Sequence, residues 1–350
     1  MDDLTQQIRD VLQEHPKWGR KRVADELDTT ESAVRSRLMI LRGLRAPPGT
    51  IGATQEQRAP SLVQIDGVTP DDHMPDPETI WARLIGEQGS VEERVTRRYS
   101  QAITIPDSRP VGLAFLSDLH LGNSFCDYRA IRGDAQTVAA TDGMYALASG
   151  DYMDNWVGKL EGMQRYQKCD FDAELVLAES WFDTLGPSLI AVCAGNHDNR
   201  TRKIAGIDYV RRLLKGRPLL YDRHEIGFTL RLGDECEKRV KLRHKWKWAS
   251  VFNPTHGIEA DEQRGDMEFD IGIGGHTHIG TLFRDFVYKT VKRVAVLVGT
   301  YKMYDGYGAE CGYPRSYGTG CGVLILHPDG TMEAQPNVDR AAAYLEYLRR

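Results

Sequence analysis

Apolar positions fall into three regimes along this 350-residue chain. Over residues 1 to 45 they recur at helical spacing: Leu4, Ile8, Val11 and Leu12 form one stripe, Val23, Ala24 and Leu27 a second, and Val34, Leu38 and Leu41 a third. Three short helices are predicted. The turn Leu27-Asp28-Thr29-Thr30 joins the last two, with Thr30 placed to cap the helix that carries Ser32, Arg35 and Arg37. From 46 to 76 the periodicity gives way to Pro, Gly, Thr and Asp, as in Pro47-Pro48-Gly49 and Thr69-Pro70-Asp71-Asp72, which reads as a flexible linker. Residues 77 to 110 read as a connecting helical segment, with a helix over Pro77 to Leu84 and a charged stretch from Glu92 to Tyr99.

From Val111 onward short apolar runs alternate with helical stretches. Val111 to Leu116, Met144 to Ala148, Ser188 to Val192, Glu225 to Leu232, Arg239 to Arg243, Asp270 to Ile273, Arg293 to Val298 and Gly322 to Leu326 read as strands. Arg129 to Ala140, Phe171 to Leu185 and Asp208 to Leu214 read as helices. The first three strands suggest right-handed βαβ units, and the later ones a second sheet. The expected fold is α/β: a two-layer β-sandwich core flanked by helices over residues 111 to 340, plus a small N-terminal all-α module over 1 to 45. Ligands in such a fold sit at the carboxyl ends of the strands.

Those strand ends carry the chemistry. After the first comes Ser117-Asp118-Leu119-His120-Leu121-Gly122, after the second Gly150-Asp151-Tyr152-Met153-Asp154-Asn155, and after the third Gly195-Asn196-His197-Asp198. Gly274-Gly275-His276-Thr277-His278 follows the run Phe269 to Ile273; on a strand its two histidines, at i and i+2, would share a face. A single strand-terminal Asp is more often a turn former than a ligand. Four such ends in one chain are a different matter, because carboxylate, amide and imidazole donors together suit Mn, Fe or Zn. The six cysteines stand elsewhere, without Cys-x-x-Cys spacing, so no zinc knuckle or disulfide framework is indicated and reduced thiols are expected.

Taken together, the motifs resemble the calcineurin-like metallophosphoesterases, whose signature is Asp-x-His, Gly-Asp-x-x-Asp, Gly-Asn-His-(Asp/Glu), a lone His and Gly-His-x-His. The resemblance covers about residues 111 to 326. Ser-Asp-Leu-His-Leu-Gly, Gly-Asp-Tyr-Met-Asp-Asn and Gly299-Thr300-Tyr301-Lys302 look most like phage and prophage phosphoesterases described as DNA-repair exonucleases. The resemblance implies two divalent ions, Mn first, with Fe, Zn or Ni as alternatives. It assigns Asp118, His120, Asp151 and His278 to one ion, and Asp151, Asn196, a fourth-motif histidine and His276 to the other, with Asp151 bridging. It implies hydrolysis of a phosphoester by a metal-activated hydroxide, His197 beside the leaving oxygen and Asp154 orienting that imidazole. For the fourth motif, His244 ends a strand-like run, whereas His256 stands in a His-Gly pair; the first is favoured and both stay open. Where protein Ser/Thr phosphatases have an arginine after the second aspartate, this chain has Asn155, which weakens the case for a phosphoprotein substrate.

The N-terminal helices resemble a helix-turn-helix, which makes Ser32, Arg35 and Arg37 candidate DNA contacts. Nine Lys/Arg against eight Asp/Glu in residues 1 to 45 leave protein docking or dimerisation as an equal alternative. The net charge of −5 argues against a globally basic nucleic-acid binder, though not against a local basic surface such as Lys241 to Trp248. With 41% hydrophobic and 27% charged residues, no apolar run near the roughly 20 residues that span a bilayer, and an acidic start, the chain reads as a cytoplasmic protein without a membrane partner, and the resemblance to phage and prophage members implies a bacterial or phage-infected cell. The expected function is a DNA-directed phosphodiesterase or nuclease. The alternatives are an enzyme for small nucleotides, or a DNA-binding regulator whose phosphoesterase domain is structural.

Overall fold

The computed structural model describes residues 3–41, 76–248, 250, 252–304, 309, 312 and 320–350. All but the last residue of the predicted linker, and most of a Tyr/Gly-rich loop over 301 to 317, lie outside the described residues. The chain forms two compact units, Met1–Met74 and Pro75–Arg350.

In the first unit, α1 (Asp3–Glu14), α2 (Arg20–Glu26) and α3 (Glu31–Leu41) bury Ile8, Val23, Ala24 and Val34, with Leu4, Val11, Leu12, Leu27, Leu38 and Leu41 packed around them. All three predicted stripes therefore meet in one small core. Thr30 Oγ1 accepts from the Ala33 N–H at 3.2 Å, the expected cap, and left-handed Asp28 turns the chain before it. Arg35 is exposed and Arg37 half-buried; the Ser32 side chain lies outside the described residues.

The second unit is built on two six-stranded mixed sheets flanked by helices. One has the order β12-β11-β2-β3-β4-β5, from Met332–Gln335, Gly322–Leu326, Val111–Leu116, Met144–Ala148, Leu189–Cys193 and Leu220–Asp222. The other runs β1-β6-β7-β8-β10-β9, from Gln101–Ile105, Glu225–Leu232, Cys236–Arg243, Ile271–Gly274, Val291–Leu297 and Leu282–Tyr288. Strand periodicity explains the layers. Val111, Leu113 and Phe115 of β2 face the other sheet, meeting Phe228, Val240, Ile271 and Val296; Ala114 and Leu116 face α5 (Tyr128–Ala140) and α6 (Phe171–Leu185). Each such Leu, Val or Phe contributes about 1.5–3 kcal/mol by leaving water.

β2, β3 and β4 are parallel neighbours, so their carboxyl ends emerge side by side, as do those of β7 and β8 in the second sheet. Three expectations need correcting. Residues 77 to 110 are no mere connector: α4 is continuous over Pro77–Arg98, and β1 pairs parallel with β6. β1 is exposed along most of its length, so its alternation carries little apolar signal. Gly322–Leu326 joins the first sheet, antiparallel to β2, and the domain continues past 340, since α10 (Val338–Leu348) buries Val338, Ala341 and Leu345 against that sheet. Among the described residues no helix is long and apolar enough to cross a membrane, and Cys169, Cys193, Cys236 and Cys321 are free thiols.

Candidate metal centre

Loops leaving β2 and β3 are tied together: the Asp118 N–H donates to the Gly150 carbonyl at 2.9 Å and the His120 N–H to the Asp151 carbonyl at 3.1 Å. Asp198 adds a clasp from the β4 loop, one oxygen taking the N–H groups of Asp151 and Gly195 at 2.7 Å each. Close approach explains the glycines. A Cβ on Gly195 would strike the Asp151 carboxylate, one on Gly150 the Gly195 backbone, and one on Gly275 the Ser117 hydroxyl and Asp118 carboxylate. The cost of the convergence is backbone strain. Asp118, His120, Asp151, His276 and His278 all have φ between +47° and +70°, a region non-glycine residues seldom occupy.

On one side, the Nε2 atoms of His120 and His278 lie 3.0 Å apart, and His278 Nε2 is 3.0 Å from Asp118 Oδ1, an oxygen that makes no hydrogen bond. His120 Nδ1 lies 2.6 Å from Asp154 Oδ1. A carboxylate only accepts, so Nδ1 donates and Nε2 of the neutral ring keeps its lone pair aimed at His278 and Asp118. On the other side, His244 Nδ1 donates to the Ser149 carbonyl at 2.7 Å, which leaves Nε2 facing Asp151 Oδ2 and Asn196 Oδ1, each at 3.1 Å. The His276 ring lies 5.2 Å from that of His244. Lone pairs converging on common points, with the far ring nitrogens held by acceptors, are what a metal site requires.

Three groups of donor atoms could each hold an ion: Asp118, His120 and His278; His120, Asp151 and His197; and Asp151, His244 and His276. Asp151 and His120 belong to two groups each. Buried His/Asp clusters able to hold metal ions are thus a property of the fold.

Electrostatics agree. Burial alone would raise the Asp118 carboxyl, yet His244, His120 and His278 hold it well below the usual carboxylate range; Asp151 is lowered likewise by His244 and His197 against its burial. In return, His120 and His244 rise to about 9: burial opposes the charge, but Asp154 and Asp118 outweigh it at His120, and Asp151 and Asp118 at His244. A divalent cation would satisfy the same oxygens and displace those protons. Burial chiefly, then His244, lowers His276 to about 4.

His197 is held differently from His120 and His244. Its Nδ1 donates to the Asp154 backbone carbonyl at 2.6 Å, and Arg200 nitrogens lie 3.0 and 3.1 Å from its two ring nitrogens. Burial first, with His120 and Arg200 reinforcing it, holds His197 down at about 3 against the pull of Asp151. The Asp154 carboxylate does not orient His197, a correction with a plain cause: its oxygens already hold His120, Asn123, Trp156 and Lys302. A second correction concerns His276 and His278. β8 ends at Gly274, so the pair lies past the strand, and left-handed turns rather than the pleat aim the two rings.

Every motif residue from Asp118 to His278 is gathered here except His256, which is exposed at the start of α9 (His256–Arg264) and belongs to none of the three groups. The sequence motifs did not include Arg200, Asn123 and Trp156, while Lys302 entered only as the end of Gly299-Thr300-Tyr301-Lys302. Arg200 follows His197 by three on α7 (Asp198–Ala205), a spacing that puts two side chains on one helix face and could have flagged it. Asn123 and Trp156 adjoin the motifs but match no signature position. No protein-family model matches the chain, and no curated protein is significantly similar to it.

Proposed function

We propose that the second unit is a calcineurin-like metal-dependent phosphoesterase that hydrolyses phosphodiester bonds of nucleic acid, with the first unit a helix-turn-helix-like module that engages DNA. The observation that carries this reading is the arrangement around Asp151, whose carboxylate is shared between two groups of potential ligands. Asp118, His120 and His278 with Asp151 would hold one ion, and Asp151, Asn196, His244 and His276 the second. Bound there, divalent ions supply Lewis acidity to a phosphoryl oxygen and lower the pKa of a water nucleophile.

The protein's own residues do the rest. Asp154 fixes His120, and buried Lys302 at 3.3 Å offsets the charge of Asp154. His197 is neutral at rest; an anionic phosphate beside it raises its proton affinity, so that it can pass a proton to the leaving oxygen from Nε2. The Arg200 guanidinium, stacked 4.7 Å from the Trp156 ring, offers paired N–H donors to phosphate oxygens at the same edge.

An activity panel with added Mn tests the reading: a nitrophenyl monoester, a bis-nitrophenyl diester, cyclic nucleotides, and single- and double-stranded DNA. Metal-dependent cleavage of the diester and of DNA is expected. Turnover of cyclic nucleotides alone would move the substrate to small nucleotides, and no turnover of any ester would favour a structural domain.

A further inference from the structure

Beside the metal centre a cavity of about 430 Å³ opens between the segment after Asp154 and the start of α6, a size within the range of pockets that take small organic ligands. Its wall is shared with the site. Trp156 lines the cavity, donates to Asp154 Oδ2 at 2.8 Å, and lies 5.0 Å from the His197 ring, edge to face. Asn155, another lining residue, donates to the His197 carbonyl at 2.7 Å. Anything in the cavity is therefore one side chain away from the residue proposed to face the leaving group.

The lining has a mixed chemistry. Trp156 and the half-exposed Phe171 supply aromatic surface, and Lys168 a cation. Deeper in, Gln167 Nε2 donates to Glu174 Oε1 at 2.5 Å, which leaves Gln167 Oε1 and Glu174 Oε2 without a hydrogen-bond partner, although Glu174 is only 3% exposed. Unpartnered buried oxygens of this kind cost about 1–3 kcal/mol each unless something satisfies them. A planar heterocycle could stack on the exposed Phe171 ring and, with a shift of the Gln167 side chain, bring its N–H edge to those oxygens, which water does not reach as they stand; a sugar has no π-face and an aliphatic peptide side chain no such edge.

We infer that the cavity is a subsite for a nucleobase, seating the base of the nucleotide whose phosphate lies at the Asp151 cluster. This rests on the phosphoesterase reading and narrows it, because the organic part of the ester becomes a nucleoside. Lys168 then faces the sugar-phosphate side, and Arg200 and His197 the scissile phosphate. Burial first, then Asp154, pushes the Glu174 carboxyl up to about 8, so at neutral pH it can donate as well as accept, which suits the adjacent donors and acceptors of a base edge.

Calorimetric titration of the full-length protein with the four deoxynucleosides, without metal or phosphate, separates the subsite from catalysis. At least one deoxynucleoside is expected to bind with millimolar affinity or better, and Phe171→Ala and the cavity-filling Val157→Trp are each expected to weaken it about tenfold or more. No binding up to about 10 mM, or binding indifferent to both substitutions, overturns the subsite. In a second arm with Mn, Phe171→Ala should lower by about tenfold the ratio of kcat/KM for a thymidine nitrophenyl diester to that for bis-nitrophenyl phosphate; an unchanged ratio counts against it. Deoxynucleoside binding without hydrolysis of either diester would sink the hydrolytic reading and leave the subsite standing. Hydrolysis without deoxynucleoside binding would do the reverse.

Discussion

Two buried clusters of charged side chains in the second unit make an instructive pair. Behind β7 and β10, Lys241 meets Asp261 at 2.6 Å and Arg293 meets Glu262 at 2.9 Å, while Arg293 also donates to the Phe269 carbonyl at 2.6 Å. None of these residues has a left-handed backbone. At the strand ends, Asp118 and Asp151 are as deeply buried, but their near neighbours are imidazoles whose Nε2 atoms point inward, on a strained backbone. Buried charge by itself therefore says little about function. The first cluster neutralises itself from within the chain, as buried ion pairs must if they are to be tolerated. The second has carboxylates and imidazoles but no lysine or arginine among its candidate ligands, and takes its balance from protons or from a metal.

Substitutions should respond in opposite ways, and the largest contrast lies at Asp151. Asp151→Asn should lower metal-dependent hydrolysis of a generic diester by about 10³-fold or more, measured as initial rates with Mn; near-parental activity would erase the distinction between the clusters. Arg293→Met strands Glu262 and should cost about 3–5 kcal/mol of stability by denaturant titration, whereas the double change Arg293→Met with Glu262→Leu should recover most of it. Neither should alter metal affinity. His197→Ala should cut turnover about 10²-fold while elemental analysis finds the parental metal content; loss of metal would instead make His197 a ligand.

Glu174 sharpens the comparison as a third case, a buried carboxyl that neither a cation nor a ligand cluster neutralises. Its pKa of about 8 in the folded protein exceeds the ordinary 4.5, so the folded state holds the extra proton between those values and stability falls as pH rises through that window. Glu174→Gln should remove the dependence, gaining about 4 kcal/mol over the parent at pH 8 and almost nothing near pH 4.5. Thermal melts across this range measure the difference, and parallel pH profiles for parent and variant would contradict it.

Much of the site was legible because its candidate ligands sit where strands end, and strand ends can be read from apolar runs followed by Gly, Asp and His. Val111 to Leu116 and Met144 to Ala148 matched β2 and β3 to the residue, and Asp118 and Asp151 followed from them. Backbone twist was not legible. His276 and His278 read as neighbours on a pleat, but the chain leaves the strand first and two left-handed turns aim the rings. Nor could the role of Asp154 be read locally, since three of its four donors are distant in sequence, His120 and Asn123 in the loop after β2 and Lys302 after β10, with Trp156 alone nearby. β1 and α10 escaped for another reason: one is a short exposed strand, and the other owes its placement to tertiary packing rather than to any site motif.

The central claim is that the Asp118 to His278 cluster is a metal site whose pivot is Asp151. Calorimetric titration of Mn into chelator-treated protein tests it most directly, with Asp151→Asn beside the parent and circular dichroism to confirm that both are folded. Saturable binding to the parent is expected, with proton release as His120 and His244 give up theirs, and binding weakened at least about tenfold in the variant. A folded parent that binds no Mn, Fe, Zn or Ni, or a variant that binds as the parent does, would contradict it.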